Sequence, residues 1–258
     1  MGITKAVSDT VYNAYEKKLL NNVLNGPIPK HLAIIMDGNR RFAQKVGMNP
    51  TEGHLAGRDK LEEVMEWCLE LGIKVLTVYA FSTENIKRNK KEVGFLMKLF
   101  AENFIKVGEN EKVHKNKIRI KAIGRTDVLP KNVQDAIRFA EEKTKNYDKY
   151  FFNIAVAYGG REEILNAVKM IAEDVKKGKI KKEEINEKLM SSYLYTSDLP
   201  DPDLILRTSG EERLSNFLLW QIAYSELYFA DVYWPGLRKI DFLRAIKSYQ
   251  DRQRRFGE

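Results

Sequence analysis

The sequence predicts an α/β fold: one domain on a six-stranded, mainly parallel sheet covered by helices on both faces. Three observations lead there. Six short apolar runs of strand length alternate with segments of helical periodicity, the pattern of βαβ units. No internal repeat, low-complexity tract or Pro/Gly/Ser-rich linker divides the 258 residues, which at 43% hydrophobic suffice for one substantial core. Polar clusters follow Met36, Ala80, Ala157 and Leu206, at the carboxyl ends of predicted strands, where open parallel sheets bind ligands.

The elements follow in order. From about Ile3 to Leu24, Val7, Val11, Tyr15, Leu19 and Val23 recur at helical spacing, and Pro27 and Pro29 end the segment. His31–Met36 is an apolar strand that gives way to Asp37-Gly38-Asn39. Leu61, Val64, Met65, Cys68 and Leu71 mark a helix face, and Val75–Ala80 a second strand. Val93, Leu96, Met97, Phe100, Phe104 and Val107 mark a long amphipathic helix. Ile118–Ile123 alternates as a strand, and Val133–Lys145 reads as a helix. Phe151–Ala157 is a strand stopped by Gly159-Gly160, before a helix from Glu162 to Lys176. Leu204–Leu206 and Leu227–Phe229 are short strands flanking a helix near Asn216 to Tyr224.

Composition narrows the function classes. The single cysteine, Cys68, excludes a disulfide framework and reads as a buried thiol in a helix, which suits a reducing cytoplasm. No stretch of about 18 apolar residues occurs and the N-terminus has no signal-peptide core, so a soluble chain is expected. The net charge of +8, from 44 Lys+Arg against 36 Asp+Glu, favours an anionic partner. The lysines between 176 and 182 read as a solvated linker. The arginines at strand ends are better placed, because the guanidinium fork matches phosphate.

Three clusters carry candidate chemistry. Asp37-Gly-Asn alone is a strand-ending turn, but Arg40 and Arg41 follow at a helix start, where backbone N–H groups and guanidinium groups converge on anions. An acid at the rim of such a site makes sense if it holds a divalent cation, and Mg²⁺ takes one or two carboxylates plus substrate phosphate oxygens. Phe81-Ser-Thr-Glu-Asn-Ile-Lys-Arg88 reads equally as a polar loop with an N-cap. Arg207 and Arg213, with Ser215, form either a second phosphate cradle or a loop whose arginines Glu211 and Glu212 neutralise. No Gly-Lys-Ser/Thr P-loop, Gly-x-Ser-x-Gly elbow or dinucleotide turn is present. Asp201 and Asp203 lie on extended chain around Pro202 and read as structural.

Together these segments resemble the cis-prenyltransferase family. The matching stretches are His31–Arg41, Gly53-His54, Tyr79–Asn85 with Arg88, Asn153–Gly160 and Arg207–Asp231, running from about residue 30 to the C-terminus. The resemblance implies a Mg²⁺-dependent homodimer that condenses isopentenyl diphosphate onto an allylic diphosphate, farnesyl or geranylgeranyl. Each cycle adds a cis double bond toward a long-chain polyprenyl diphosphate. Asp37 would hold Mg²⁺ with Glu226 as second carboxylate. Gly38, Asn39, Arg40, Arg41 and Phe42, helped by His54, would cradle the allylic diphosphate, and Arg207, Arg213, Leu214 and Ser215 would hold isopentenyl diphosphate. Ser82, Thr83, Glu84, Asn85, Ile86 and Arg88 would complete the catalytic face, with Asn85 assisting proton removal. The growing chain would lie in an apolar tunnel along the Leu61–Leu71 and Val93–Val107 helices, faces that equally read as core.

Three departures from the family pattern stand out: Pro50 where many relatives have Arg, Glu212 where bacterial relatives often have His, and Ile86 where Trp is common. Residues 1–258 form one expected domain, with 1–28 as an amphipathic helical extension able to pack on the domain or touch a membrane surface. Arg255-Phe256-Gly257 resembles a tail that reaches a partner's site, or is a free terminus. The rivals are a non-catalytic subunit, opposed by the retained Asp37, Arg41, Arg207 and Arg213, and a nucleic-acid-binding protein, for which no module appears.

Overall fold

The computed structural model describes the backbone of residues 2–252 and the side chains of residues 12–252. The chain runs α1 (Gly2–Leu24), β1 (His31–Ile35), α2 (Asn39–Lys45), α3 (Pro50–Leu71), β2 (Val75–Ser82), α4 (Lys90–Glu109), α5 (Glu111–Lys115), β3 (Ile118–Ile123), α6 (Lys131–Thr144), β4 (Tyr150–Tyr158), α7 (Gly160–Lys176), α8 (Glu187–Ser192), β5 (Leu204–Arg207), β6 (Glu226–Phe229) and α9 (Lys239–Asp251). All six strands are parallel, in the order β3-β4-β2-β1-β5-β6. From β1 the chain winds one way across the sheet, and from β5 the other. The β1–β5 seam is therefore a topological switch point, the crevice where α/β sheets bind ligands.

Packing explains the layers. β1 is buried along its whole length, and Leu32, Ile34, Val78 and Leu206 join the core beneath α3, α4, α6 and α9. The opposite face buries Ala33, Ile35, Tyr79, Ile205, Phe217 and Leu218. Tyr79 stacks on Phe217 at 4.6 Å between ring centroids. Cys68 is buried, and the surrounding apolar side chains push its thiol pKa far up, so it is inert. In α1, Leu19 and Val23 are buried while Tyr15 stays half exposed. Asp203 has the structural role expected of it: its carboxylate accepts from the N–H groups of Lys30 and His31.

Two elements depart from the sequence reading. α3 begins eleven residues before Leu61, at Pro50, because Asn49 and Glu52 form a capping box around a proline at N1. Residues 216–224 form successive turns rather than a helix. Ser215, Asn216 and Leu218 take positive φ of 49°, 64° and 44°, which no α-helix accommodates. Among the described residues, no helix is long and apolar enough to cross a membrane.

Candidate active site

Asp37 follows β1 and Arg207 ends β5, and in the sheet register Ile35 lies beside Arg207. Arg207 is 3% exposed and donates from Nη2 to Asp37 Oδ2 at 2.7 Å. Arg41 donates from Nη2 to Asp37 Oδ1 at 3.1 Å and to Ser209 Oγ at 2.8 Å. Partial burial pushes the Asp37 pKa up, but the bonds from Arg207, Ser209 and Arg41 outweigh it and hold the carboxyl below its ordinary value. Asp37 is a fixed anion between two cations. Its backbone is pinned too: Thr208 Oγ1 donates to the Asp37 carbonyl at 2.7 Å and accepts from its N–H at 3.0 Å.

Gly38 then takes φ +108°, and a Cβ there would lie 2.8 Å from the Tyr233 ring, so the turn requires glycine. It starts α2 without a side-chain cap, so no Gly38 side chain takes up the first N–H groups of the helix. α2 lies close against α3 because Gly53 and Gly57 face it. A Cβ at Gly53 would sit 2.3 Å from the Asn39 carbonyl oxygen, and one at Gly57 would sit 2.4 Å from Asn39 Oδ1. Phe42 is half-buried on α2, where its ring would meet a Cβ at Gly236 at 3.7 Å.

The second loop meets the first through acids. Glu211 accepts from Arg41 Nη1 at 2.8 Å and from Arg213 Nη1. Arg207 Nη1 donates to Ser215 Oγ at 2.7 Å and to the Arg213 carbonyl. The neutralised-loop reading therefore holds for Arg213, whereas Arg207 pairs with Asp37. Glu212 is exposed, and Leu214 packs beneath the loop. Tyr79 Oη donates to the Ser215 carbonyl, and Gly160 N–H to that of Asn216 at 2.7 Å. Beneath them Glu163, 2% exposed, accepts from Tyr158 Oη, Tyr195 N–H and Gln221 Nε2, which anchors the turns after Ser215.

A third group gathers around Glu92 on α4. It accepts from Arg88 Nη1 at 3.1 Å and Arg40 Nη1 at 3.4 Å, and its Oε1 lies 3.2 Å from His54 Nε2. Burial lowers the His54 pKa, and the bond to Glu92 only partly opposes that. The Phe81–Arg88 segment turns the chain with a capping box: Ser82 Oγ accepts from Asn85 N–H, and Asn85 Oδ1 accepts from Ser82 N–H at 3.1 Å. Asn85 thus holds the turn with its side-chain oxygen. Glu84 accepts from Asn216 Nδ2, Thr83 lies against Gly159, and Ile86 is exposed.

From Asn39 and His54 an apolar cavity of about 640 Å³ runs between α3 and α4 over β2, β3 and β4. Leu61, Met65, Leu96, Phe100 and Phe104 line it, whereas Val64, Cys68 and Leu71 of the same predicted faces are buried in the core.

Arginines and acids thus gather around Asp37 and Glu92, beside one end of a long apolar cavity. Residues 35–257 match the prenyltransferase family described as "Putative undecaprenyl diphosphate synthase". The chain belongs to this family of cis-prenyltransferases. It is 56% identical over 257 residues to a tritrans,polycis-undecaprenyl-diphosphate synthase (geranylgeranyl-diphosphate specific) of Thermoplasma volcanium, covering 100% of each chain. It is 58% identical over 247 residues to the enzyme of the same description from Thermococcus kodakarensis, covering 96% of this chain and 94% of that one. The crystal structure of lavandulyl diphosphate synthase from Lavandula x intermedia, in complex with dimethylallyl diphosphate, superposes with a TM-score of 0.86 at 40% identity, covering 90% of this chain and 99% of that one.

In this cis-prenyltransferase Glu226 is not brought to Asp37. Glu226 opens β6 beside Leu204, which lies beside Leu32, whereas Asp37 lies past the far end of β1. The offset is five residues, about 16 Å along the sheet. Glu226 pairs instead with Arg252 at 2.7 Å. Past the carboxyl end of the same strand lies Asp231, close to Gly210. Among the described residues no three acids or histidines cluster as a self-sufficient metal site. One carboxylate at an anion site still fits Mg²⁺, which completes its shell with phosphate and water.

Glu92 and Glu163 are site-building residues that the sequence reading leaves out, while Thr208 and Ser209 lie within the predicted second cradle but are given no role of their own. Glu92 carries a local signal, standing four residues after Arg88 at the start of a helix. Of the departures, Pro50 is a helix-start residue and offers no phosphate contact, while Arg58, one helical turn after His54, lines the cavity. Arg255-Phe256-Gly257 lies outside the described residues.

Proposed function

We propose that this cis-prenyltransferase extends geranylgeranyl diphosphate by repeated 1'-4 condensation with isopentenyl diphosphate, giving a long-chain polyprenyl diphosphate that serves as a lipid-carrier precursor. One observation carries the reading: Asp37, clamped between Arg41 and Arg207, stands beside the mouth of an apolar cavity. A substrate with a charged head and a hydrocarbon tail fits that juxtaposition. The choice of primer rests on the specificity printed for the relatives from Thermoplasma volcanium and Thermococcus kodakarensis.

In the reaction Arg40, Arg41 and the open N–H groups of α2 bind the allylic diphosphate, and His54 orients it. Arg207, Arg213 and Ser215 bind isopentenyl diphosphate, Arg213 by exchanging its pair with Glu211 for a phosphate oxygen. As the allylic C–O bond breaks, negative charge grows on the departing diphosphate, and the fixed guanidinium groups stabilise it. Asp37 would hold Mg²⁺, which when bound supplies further charge stabilisation to the diphosphate oxygens. The apolar walls beyond Asn39 keep water from the carbocation. Asn85, with its amide oxygen engaged by Ser82, keeps its amide nitrogen for orienting the substrate at the proton-loss step.

Residues 1–258 act as one domain with 1–28 as its helical extension, in a cytoplasmic homodimer that touches the membrane as product leaves and binds no nucleic acid. Any role of Glu226 in cation binding requires a second copy of the chain, because within one chain it lies at the wrong end of the sheet. The test is incubation of purified protein with geranylgeranyl or farnesyl diphosphate, labelled isopentenyl diphosphate and Mg²⁺, with products resolved by length. A polyprenyl ladder, longest with geranylgeranyl diphosphate and abolished by chelator, is expected. No product with either primer would refute the reading.

A further inference from the structure

Past the carboxyl end of β6, residues 230–234 are sewn to both loops of the site. The Ala230 N–H donates to the Arg207 carbonyl at 2.8 Å, and the Ala230 carbonyl accepts from the Gly210 N–H at 2.9 Å. The Val232 carbonyl accepts from the Ser209 N–H at 2.7 Å, and the Trp234 N–H donates to the Asp37 carbonyl at 3.0 Å. Trp234 is fully buried, and its Nε1 donates to the Gly57 carbonyl of α3 at 2.7 Å. Tyr233 therefore stands between two anchored neighbours, with its backbone held from both sides.

That placement decides what the ring meets. Gly38 approaches it more closely than any Cβ would allow. On α2, Arg41 and Lys45 are four residues apart and share a helix face. Both reach the same ring: the Arg41 guanidinium carbon lies 5.6 Å from the Tyr233 centroid, and Lys45 Nζ lies 5.9 Å from it. At such distances a cation is drawn to an aromatic face. Among the described residues the Tyr233 hydroxyl has no hydrogen-bond partner, so the ring and not Oη makes the contacts.

The two cations differ in their other partners. Arg41 spends its N–H groups on Asp37, Ser209 and Glu211. A phosphate competes for those donors, whereas the ring takes up none of them. Tyr233 can thus hold Arg41 in place while Glu211 is exchanged for a substrate oxygen. Lys45 is exposed, and no carboxylate pairs with it among the described residues. Neighbouring cations repel, and the negative face of one ring offsets that repulsion for both.

We propose that Tyr233 is a positioning residue for the allylic diphosphate: its ring seats Arg41 and Lys45 side by side as a two-cation clamp, with Lys45 as a further diphosphate contact. The inference deepens the condensation reading above and rests on it for the identity of the substrate.

The experiment uses the full chain and two readouts, calorimetric titration with inorganic diphosphate in Mg²⁺ buffer and KM for each prenyl substrate. Tyr233→Leu keeps an apolar side chain but removes the ring, and should weaken inorganic diphosphate binding about fivefold, the scale of a cation–π contact. KM for geranylgeranyl diphosphate should rise by a similar factor, while KM for isopentenyl diphosphate stays within about twofold. Tyr233→Phe returns the ring and should return both values to those of the wild type. Lys45→Met should weaken diphosphate by itself, and combined with Tyr233→Leu should lose less than the two separate effects multiplied. A folded Tyr233→Leu that binds diphosphate as tightly as the wild type overturns the clamp. So does a Tyr233→Phe no better than Tyr233→Leu, an unchanged affinity in Lys45→Met, or two effects that multiply independently. Should melting temperature show that Tyr233→Leu does not fold, Tyr233→Met replaces it and is read by the same criteria. A wild type that makes no polyprenyl product refutes the condensation reading, whereas the inorganic diphosphate titration still decides the clamp.

Discussion

Asp37 and Arg207 join across the β1–β5 seam, the Arg207 Nη2 donating to Asp37 Oδ2 at 2.7 Å, although 170 residues separate them. This bond closes the switch point of the sheet. Arg207 is almost fully buried and Asp37 is its ion-pair partner, while Asp37 in turn keeps its position between Arg207 and Arg41. Asp37→Asn preserves the shape and removes the charge. It should lower kcat by about 10²-fold or more, the scale of losing a key electrostatic group, with a smaller change in KM. Steady-state kinetics with each substrate varied in turn checks this. A raised KM with kcat unchanged would point to a binding role alone.

The depressed Asp37 pKa also has a stability consequence. A carboxyl whose folded pKa lies below its unfolded value stabilises the fold above the unfolded value, and that contribution disappears as pH falls through the folded pKa. Wild type should therefore lose stability on acidification more steeply than Asp37→Asn. Chemical denaturation from pH 6 downward measures the difference.

Gly53 and Gly57 let α2 approach α3, and the added Cβ of Gly53→Ala would collide with the Asn39 backbone oxygen. Backbone cannot swing aside as a side chain can. The substitution should cost about 1–3 kcal/mol, as overpacking does, and raise KM for the allylic diphosphate by displacing Asn39 and Arg40. Thermal unfolding together with KM for both substrates tests it. An unchanged melting temperature would show that the two helices separate freely.

How far the sequence revealed this arrangement depended on range. Asp37 was legible because an apolar run ends abruptly at a turn with two arginines, all within five residues. Thr208 and Glu163 were not, since their bonds to Asp37 and Gln221 arise only when distant segments fold together. The stretch from Asn216 to Tyr224 has helix-like apolar spacing, yet the left-handed backbone at Ser215, Asn216 and Leu218 breaks it into turns, so periodicity misled. Glu226 shows a clue left unused. It precedes its strand whereas Asp37 follows its own, and in a parallel sheet those are opposite ends.

Glu92 carries a titration prediction. Burial depresses the His54 pKa and Glu92 partly restores it, so Glu92→Gln should move the His54 pKa still lower. With only three histidines in the chain, NMR titration of the imidazole resonances can assign the change. A rise would mean that Arg40 and Arg88, held beside the ring by Glu92, depress the pKa more than Glu92 raises it.

His31 supplies the remaining pH effect, far from the site. Its Nδ1 lies 2.7 Å from the Pro200 carbonyl oxygen, so it carries the proton, and Nε2 accepts from Thr77 Oγ1 at 2.8 Å. Thr77 accepts in turn from Asn153 Nδ2. A second proton would turn Nε2 into a donor inside a dry core, and burial lowers the His31 pKa to about 4. The unfolded chain, with an ordinary histidine near 6.5, binds this proton more readily. Stability contributed by neutral His31 is therefore complete above about pH 6.5 and lost as pH falls toward 4, after which this group adds no further change. The full effect amounts to roughly 3 kcal/mol. Unfolding free energies at pH 7.5 and 5 for wild type and His31→Gln test it: the variant should be less stable at pH 7.5 and show a shallower fall between the two. Parallel pH dependence in both proteins would remove His31 as the source.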